Sequence, residues 1–234
     1  MNFRLPVLRR LAALALWIAG IGVGAMVSAA DDLAAVFDRV DRAAGAFKGL
    51  SADVTQVSHN AVLNEDESLA GTIAVRRPRP HELRALVDVR DPAKQVYLTG
   101  HKVEIYYPKS NTVQIIDLDR KGSAMIDQFL LLGFGSGSAE LRKSYQVECG
   151  GPEAVAGQKA MRLVLTPKSP ELRAKLTKVE LWISDTSGLA VQQKFWEPGG
   201  DYTLATYTNI NLHPSSGELK WDLPKDVHRE YLNK

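Results

Sequence analysis

The sequence predicts a mainly β chain with helices, an antiparallel sheet of ten or eleven short strands curled into a barrel or half-barrel. Three observations carry this. Segments of five to ten residues with strand-like composition recur between residues 50 and 212, bounded by Pro, Gly, Asn or Asp. One amphipathic helix precedes them, and one helical block, residues 123–144, interrupts them. No strand leads into a regular crossover helix, so consecutive strands join as an antiparallel meander. A sheet of that many strands curls, because long flat sheets are unusual.

The elements follow in order. Residues 1–30 form a secretory signal peptide pattern. Arg4, Arg9 and Arg10 make a positive start, residues 11–27 are apolar, and Ser28-Ala29-Ala30 supplies small residues for cleavage after Ala29 or Ala30. An uncleaved anchor is the alternative. The expected domain is 31–234. Residues 31–48 read as its first helix, with Leu33, Val36, Phe37, Val40, Ala44 and Phe47 at 3/4 spacing. Asp31 or Asp32 caps its start and Gly49 ends it. "LSADVTQVSH", a polar turn "NEDE", "SLAGTIAVRR", "HELRALVDV", "KQVYLTG", "KVEIYYP" and "TVQIIDL" then read as strands and connections. After the helical block come "YQVECG", "QKAMRLVLTP", "LTKVELWISD", "LAVQQKFWEP" and "DYTLATYTNINL", with "DTSG" and "EPGGD" as hairpin turns. The tail carries one more short strand and a turn at Pro224.

Composition narrows function. The formal net charge of +2 includes the three arginines of the leader, which leaves −1 for residues 31–234. A near-neutral chain does not neutralise phosphates well, so nucleic acid is not an expected partner. A domain of this length buries a sizeable core undivided. Cys149 is the single cysteine, which excludes an intrachain disulfide and reads as a small inert residue rather than a nucleophile. "GFGSG" places Gly135 where a nucleophile elbow needs serine. His59, His81, His101, His213 and His228 lack ligand spacing, and Asp117 with Asp119 reads as a solvated pair. The expectation is no enzyme, no catalytic residue, no cofactor and no metal.

The stretch "MIDQFLLLGFGSG", residues 125–137, is the most informative. It is far shorter than the roughly 20 apolar residues that cross a bilayer. Tyr106, Tyr107, Trp182, Phe195, Trp196, Tyr202, Tyr207 and Trp221 lie in strand-like segments, where β-propensity and core packing explain most of them. A curled sheet nevertheless has an inner face to fill, and one helical block is available to fill it. An imperfect or reversible fill leaves an apolar ligand cavity; a permanent fit makes the block an ordinary core helix. Gly133, Gly135 and Gly137 favour the reversible reading, since glycines supply hinge freedom. The candidate cavity and lid residues are Met125, Phe129, Leu130, Leu132 and Phe134, with Val54 and Ile105 on strands.

The order of these features resembles the outer-membrane lipoprotein carrier proteins, the LolA family. The marks are the first helix, "LSADVTQ" ending at Gln56, "GTIAVRRP" (71–78), "YLTGHKVEIYYP" (97–108), the apolar block, "AMRLVLTPKSP" (160–170) and "KVELWISDTSGLAVQQ" (178–193). The resemblance implies an unclosed antiparallel barrel of about eleven strands with helices covering its concave side. Its apolar interior would take lipoprotein acyl chains in the periplasm. It also implies that Arg77, directly before Pro78, hydrogen-bonds lid backbone and latches the cavity, a role its five donors suit. Neighbouring Arg76 alternates to the opposite strand face and is expected in solvent. The implied partners are acylated lipoproteins, an inner-membrane lipoprotein-releasing transporter and an outer-membrane lipoprotein acceptor, with the chain acting as a monomer. His81 stands where the family has an aromatic ring, Pro80 stiffens the same stretch, and Thr99-Gly100 replaces an Asp/Asn-Gly turn. Two rival readings are a lipoprotein-sensing regulatory domain on the same half-barrel and an enzyme acting on lipids. Such regulators usually carry a further domain, which the sequence to Lys234 does not add.

Overall fold

The computed structural model describes residues 29–79, 82–215 and 219–232. The expected leader and its expected cleavage site, apart from Ala29 and Ala30, lie outside these residues, as do Pro80 and His81. Helix α1 (Ala29–Ala46) precedes strands β1 (Gly49–Asn60), β2 (Glu65–Arg79), β3 (Glu82–Val89), β4 (Lys94–Thr99), β5 (Lys102–Tyr107) and β6 (Thr112–Asp117). Helices α2 (Arg120–Leu131) and α3 (Ser138–Ser144) follow. Then come β7 (Tyr145–Val155), β8 (Gln158–Pro167), the short helix α4 (Pro170–Arg173), β9 (Lys178–Ser184), β10 (Ala190–Trp196), β11 (Tyr202–Asn211) and β12 (His228–Tyr231).

All twelve strands belong to one sheet in the order β12-β6-β5-β4-β3-β2-β1-β11-β10-β9-β8-β7. The two ends, β12 and β7, do not pair, so the sheet is an open barrel. Every neighbouring pair is antiparallel except β12 with β6, which is parallel. The expected meander is present as two runs, β1–β6 and β7–β11, which join through β1 and β11 and not through β6 and β7, and the tail contributes a twelfth strand.

Register decides which residues face inward, because side chains alternate along a strand. Leu50 pairs with Val75, and Ala52 with Ile73. Val75 continues to Ala85 and Ile73 to Val87, then Ala85 to Leu98 and Val87 to Val96. On the other half Gln193 pairs with Leu181 and Phe195 with Val179, which continue to Leu163 and Leu165. One face thus carries Leu50, Val75, Leu98, Leu163 and Leu181, all in the main buried core. Helix α1 adds Val36, Phe37 and Val40, each at most 3% exposed. Its expected apolar stripe is therefore a core face.

Several details differ from expectation for local reasons. Gly49 does not stop α1 but opens β1, where a Cβ would sit 2.5 Å from the Val75 carbonyl oxygen. The turn before β2 is residues 61–64, and Glu65, Asp66 and Glu67 already belong to the strand, paired with β1. Asp119 caps α2, its Oδ1 accepting from the Gly122 amide at 2.6 Å. The short α4 begins with Pro170 and is capped by Ser169, whose Oγ accepts from the Leu172 amide at 3.1 Å. Of the aromatic set, Phe195 and Tyr207 pack into the main core. Trp182 and Trp196 turn to the other face, donating to Glu153 and Glu180 at 2.7 Å each. Trp221 stacks on Tyr97 at 5.1 Å in a separate cluster under the tail. Cys149 is half-buried and free, opposite Leu163. Among the described residues no helix is long and apolar enough to cross a membrane.

Candidate functional site

The block 125–137 folds as two unlike pieces. Helix α2 presents Ile126, Phe129, Leu130 and Leu131 to the core while leaving each half-exposed. The loop that follows is buried almost completely: Leu132 is 1% and Phe134 3% exposed. The loop turns back tightly because the Leu131 carbonyl accepts from three successive amides, Phe134, Gly135 and Ser136, at 2.9–3.0 Å. That satisfies a helix C-terminus that would otherwise carry open carbonyls. Phe134 meets Tyr207 edge to face at 5.0 Å, and Phe129 meets Phe195 at 5.8 Å.

Polar ties fasten the loop on both sides. The Ala190 amide donates to the Gly133 carbonyl at 2.7 Å. Gln193 Nε2 donates to the Leu132 carbonyl, and Tyr207 Oη donates to Gln193 Oε1 at 2.9 Å. Arg77 Nη2 donates to the Gly135 carbonyl at 3.2 Å, with its guanidinium 5.5 Å from the Phe47 ring centre. Asp41 of α1 accepts from the Ser138 amide at 2.6 Å and from its hydroxyl at 2.7 Å. A further bond, Gln128 Nε2 to Tyr145 Oη at 3.3 Å, holds α2 to β7. The cover is apolar toward the sheet and pinned at its edges by a countable number of hydrogen bonds.

The glycines have a different task from the one expected. Gly133 adopts φ +79°, and a Cβ there would lie 2.6 Å from the Ala190 Cβ. At Gly135 a Cβ would lie 2.8 Å from Arg77 Nη2 and 2.9 Å from Leu131 Cδ2. They permit close approach in the closed loop, which accounts for them without hinge freedom.

The candidate residues do not all converge. Leu132 and Phe134 sit in the core and Phe129 and Leu130 pack beside them. Val54, opposite Tyr207 and Gly71, is half-buried against the same core. Ile105, opposite Val96, lies outside that cluster toward the β6 end of the sheet. Met125 points into a groove of about 650 Å³ with Leu172 and Lys175, its Sδ 3.7 Å from Lys175 Nζ. Arg76 is not a solvent residue: its Nη2 donates to the Pro214 carbonyl, tying the segment after β11 to β2. Gln193 and Asp41 escaped the sequence reading as site residues, and Tyr207 figures in it only as one of the strand aromatics. An inward polar Gln193 among apolar alternants on β10 is the one signal that pointed to them.

Two expected outcomes arise here. Gln193 is 3% exposed. Gln193→Ala leaves the Tyr207 hydroxyl and the Leu132 carbonyl without partners, at about 1–3 kcal/mol each. A loss of about 2–6 kcal/mol is expected in urea unfolding with an unchanged slope; wild-type stability would show that the loop does not rely on this tie. The second concerns Asp127 on α2. Burial pushes its carboxyl above the ordinary carboxylate value, and the Arg77 guanidinium offsets part of that shift. A carboxyl raised in the fold stabilises it in acid, and that contribution is lost as pH rises through the raised value. Asp127→Asn is expected to flatten this decline in unfolding experiments run from below the ordinary carboxylate value to neutrality. An unchanged pH profile removes Asp127 from the account.

An open antiparallel barrel with an apolar inner face, closed by a helix and a pinned loop, defines a class of covered half-barrels. The chain belongs to the family described as outer membrane lipoprotein carrier protein LolA, whose sequence model matches residues 45–216. No curated protein sequence matches it. Among solved structures, an uncharacterized conserved protein from Thermus thermophilus is similar at 15% identity and a TM-score of 0.52, over 86% of this chain and 99% of that one. MucB of Pseudomonas aeruginosa, solved in complex with MucA, is 17% identical with a TM-score of 0.47, over 80% of this chain and 61% of that one. The Mycobacterium tuberculosis lipoprotein LppX is 13% identical with a TM-score of 0.47, over 78% of this chain and 98% of that one.

Proposed function

We propose that this protein is a non-enzymatic periplasmic carrier, which takes the acyl chains of lipoproteins under α2 and its loop and delivers them from the inner to the outer membrane. The observation that carries the reading is the cover itself, apolar toward the sheet and held by few polar ties. Five hydrogen bonds, three of them to a charged group, and the burial of Leu132 and Phe134 set the cost of opening. An acyl chain that takes their place returns roughly 0.8 kcal/mol per buried methylene, which offsets that cost. The exported chain receives cargo from a releasing transporter and passes it to an outer-membrane acceptor.

Transfer tests this. Mature protein loaded with an acylated lipoprotein is mixed with outer-membrane vesicles, and lipoprotein in the pellet is measured. Delivery of the acylated form and none of an unacylated control is expected. If lipoprotein never becomes soluble with this protein, or if mass spectrometry finds no acyl lipid bound to it, the reading fails.

A further inference from the structure

Two adjoining clefts, of about 690 and 750 Å³, run across the end of the molecule where α1 gives way to β1. They share Lys48, Gly49, Leu212 and His213. The first lies between the C-terminal half of α1 and the turn at residues 185–188; the second continues along the Arg76–Arg79 end of β2. Arg39, Arg42, Lys48, Arg76, Arg79 and His213 line the combined groove. Among its described lining residues Asp185 is the one carboxylate, and it is already paired with Arg39 at 2.9 Å. The floor is apolar, with Ala43, Phe47 and Leu189.

This cationic groove is not a by-product of excess positive charge, since residues 31–234 carry a net −1. Charge is segregated along the β1–β2 hairpin. Gly49 pairs with Arg76 at the groove end, while Glu65, Asp66 and Glu67 crowd the opposite end. A dipolar molecule presents its basic end to an acidic partner as it approaches. Arg39 Nε and Arg76 Nε are covered by the protein and have no hydrogen-bond partner among the described residues. Buried donors left open are rare, and a small shift of these side chains toward a carboxylate in the groove is one way to satisfy them.

We propose that the groove is a docking site for an acidic, extended segment of a partner protein. Guanidinium forks match carboxylates in two-point geometry. The apolar floor takes an aliphatic side chain between successive acids. The recess between α1 and the 185–188 turn favours a strand-like segment over a flat bilayer, whose headgroups stay outside it. The assignment holds whether the protein ferries lipoproteins or senses them.

The mature chain is titrated with a labelled short peptide alternating glutamate and leucine, and binding is followed by fluorescence anisotropy. A lysine–leucine peptide, inorganic phosphate and phosphatidylcholine vesicles containing phosphatidylglycerol are the comparison probes. Saturable binding of the acidic peptide that weakens with salt is expected, with shifts of the Arg39 and Arg76 Nε–H resonances. Arg42, Lys48 and Arg79 are exposed, so the triple variant R42E/K48E/R79E keeps the fold and is expected to bind about tenfold more weakly or worse. Arg90→Glu with Lys94→Glu, on another edge, is expected to bind as wild type. No binding of the acidic peptide overturns the proposal. So does binding that survives the triple variant or leaves both Nε–H resonances unmoved. Vesicle binding that depends on the triple without peptide binding identifies a membrane as the occupant and overturns it equally.

Discussion

Phe134→Asp is expected to unfold the protein under conditions in which Leu130→Asp leaves it folded. Phe134 is 3% exposed and stands edge to face on Tyr207 in the inner wall of the sheet. Removing such a ring costs about 3–5 kcal/mol. The new carboxylate would sit in an apolar wall, where the nearby Arg77 guanidinium is already bonded to the Gly135 carbonyl, and adds the penalty of a poorly paired buried charge. Together these match the 5–15 kcal/mol by which a domain of this kind is typically stable. Leu130 is half-exposed on α2, so an aspartate there reaches water and mainly removes apolar contact with the core. Circular dichroism and urea unfolding separate the two, and uptake of a hydrophobic probe by Leu130→Asp should fall. A folded Phe134→Asp of wild-type stability would mean that the loop leaves the wall freely. An unfolded Leu130→Asp would make α2 as permanent a part of the core as the loop. From sequence alone both substitutions are expected to spare the fold; burial separates them.

Arg77→Leu is expected to yield a carrier that loads readily and releases poorly. The substitution removes the bond to the Gly135 carbonyl, the cation beside Phe47 and the charge that partly offsets the burial of Asp127. A hydrogen bond from a charged donor contributes about 1.5–3 kcal/mol, so the closed form should lose roughly ten- to a hundredfold in population. A cavity that does not re-close has less to gain from giving up its cargo, so transfer to acceptor membranes should drop by a similar factor. Asp127 should also shift further upward in this variant, steepening the loss of stability from acid to neutral pH. Arg84→Leu is the control, since Arg84 is exposed and bound to Glu82 at 2.7 Å, away from the loop. Arg76→Leu does not serve, because Arg76 holds the Pro214 carbonyl. Equal transfer by wild type and Arg77→Leu, or an equal defect in Arg84→Leu, removes the latch.

Much of the architecture is legible in the residues. Alternation along β1, β2 and β8 already assigns Leu50, Ala52, Val75, Leu163 and Leu165 to one face, because a period of two leaves a strand no other way to bury them. The 3/4 spacing of Val36, Phe37 and Val40 assigns the buried side of α1 in the same way. Turn residues and the absence of crossover helices give the two runs β1–β6 and β7–β11, but not the β1–β11 pairing that joins them. What the block 125–137 does was less legible. One apolar run reads as one object, yet it divides into a half-exposed helix and a buried loop. Met125 lies on the helix but turns away from the core, toward Lys175.

The sequence by itself determined the local periods, hence the sheet, the first helix and the apolar character of the cover. Only the tertiary structure decided what fastens that cover. Gln193 lies 61 residues from Leu132, Asp41 lies 97 from Ser138 and Arg77 lies 58 from Gly135. None of these pairs has a spacing that a helical or strand period can express. They meet because the sheet curls until β2, β10 and α1 surround one loop. The same curl gathers Arg39, Arg42, Lys48 and Arg76 around a single groove. Periodicity is a property of neighbours along the chain, whereas a tie or a charged groove is a property of neighbours in space.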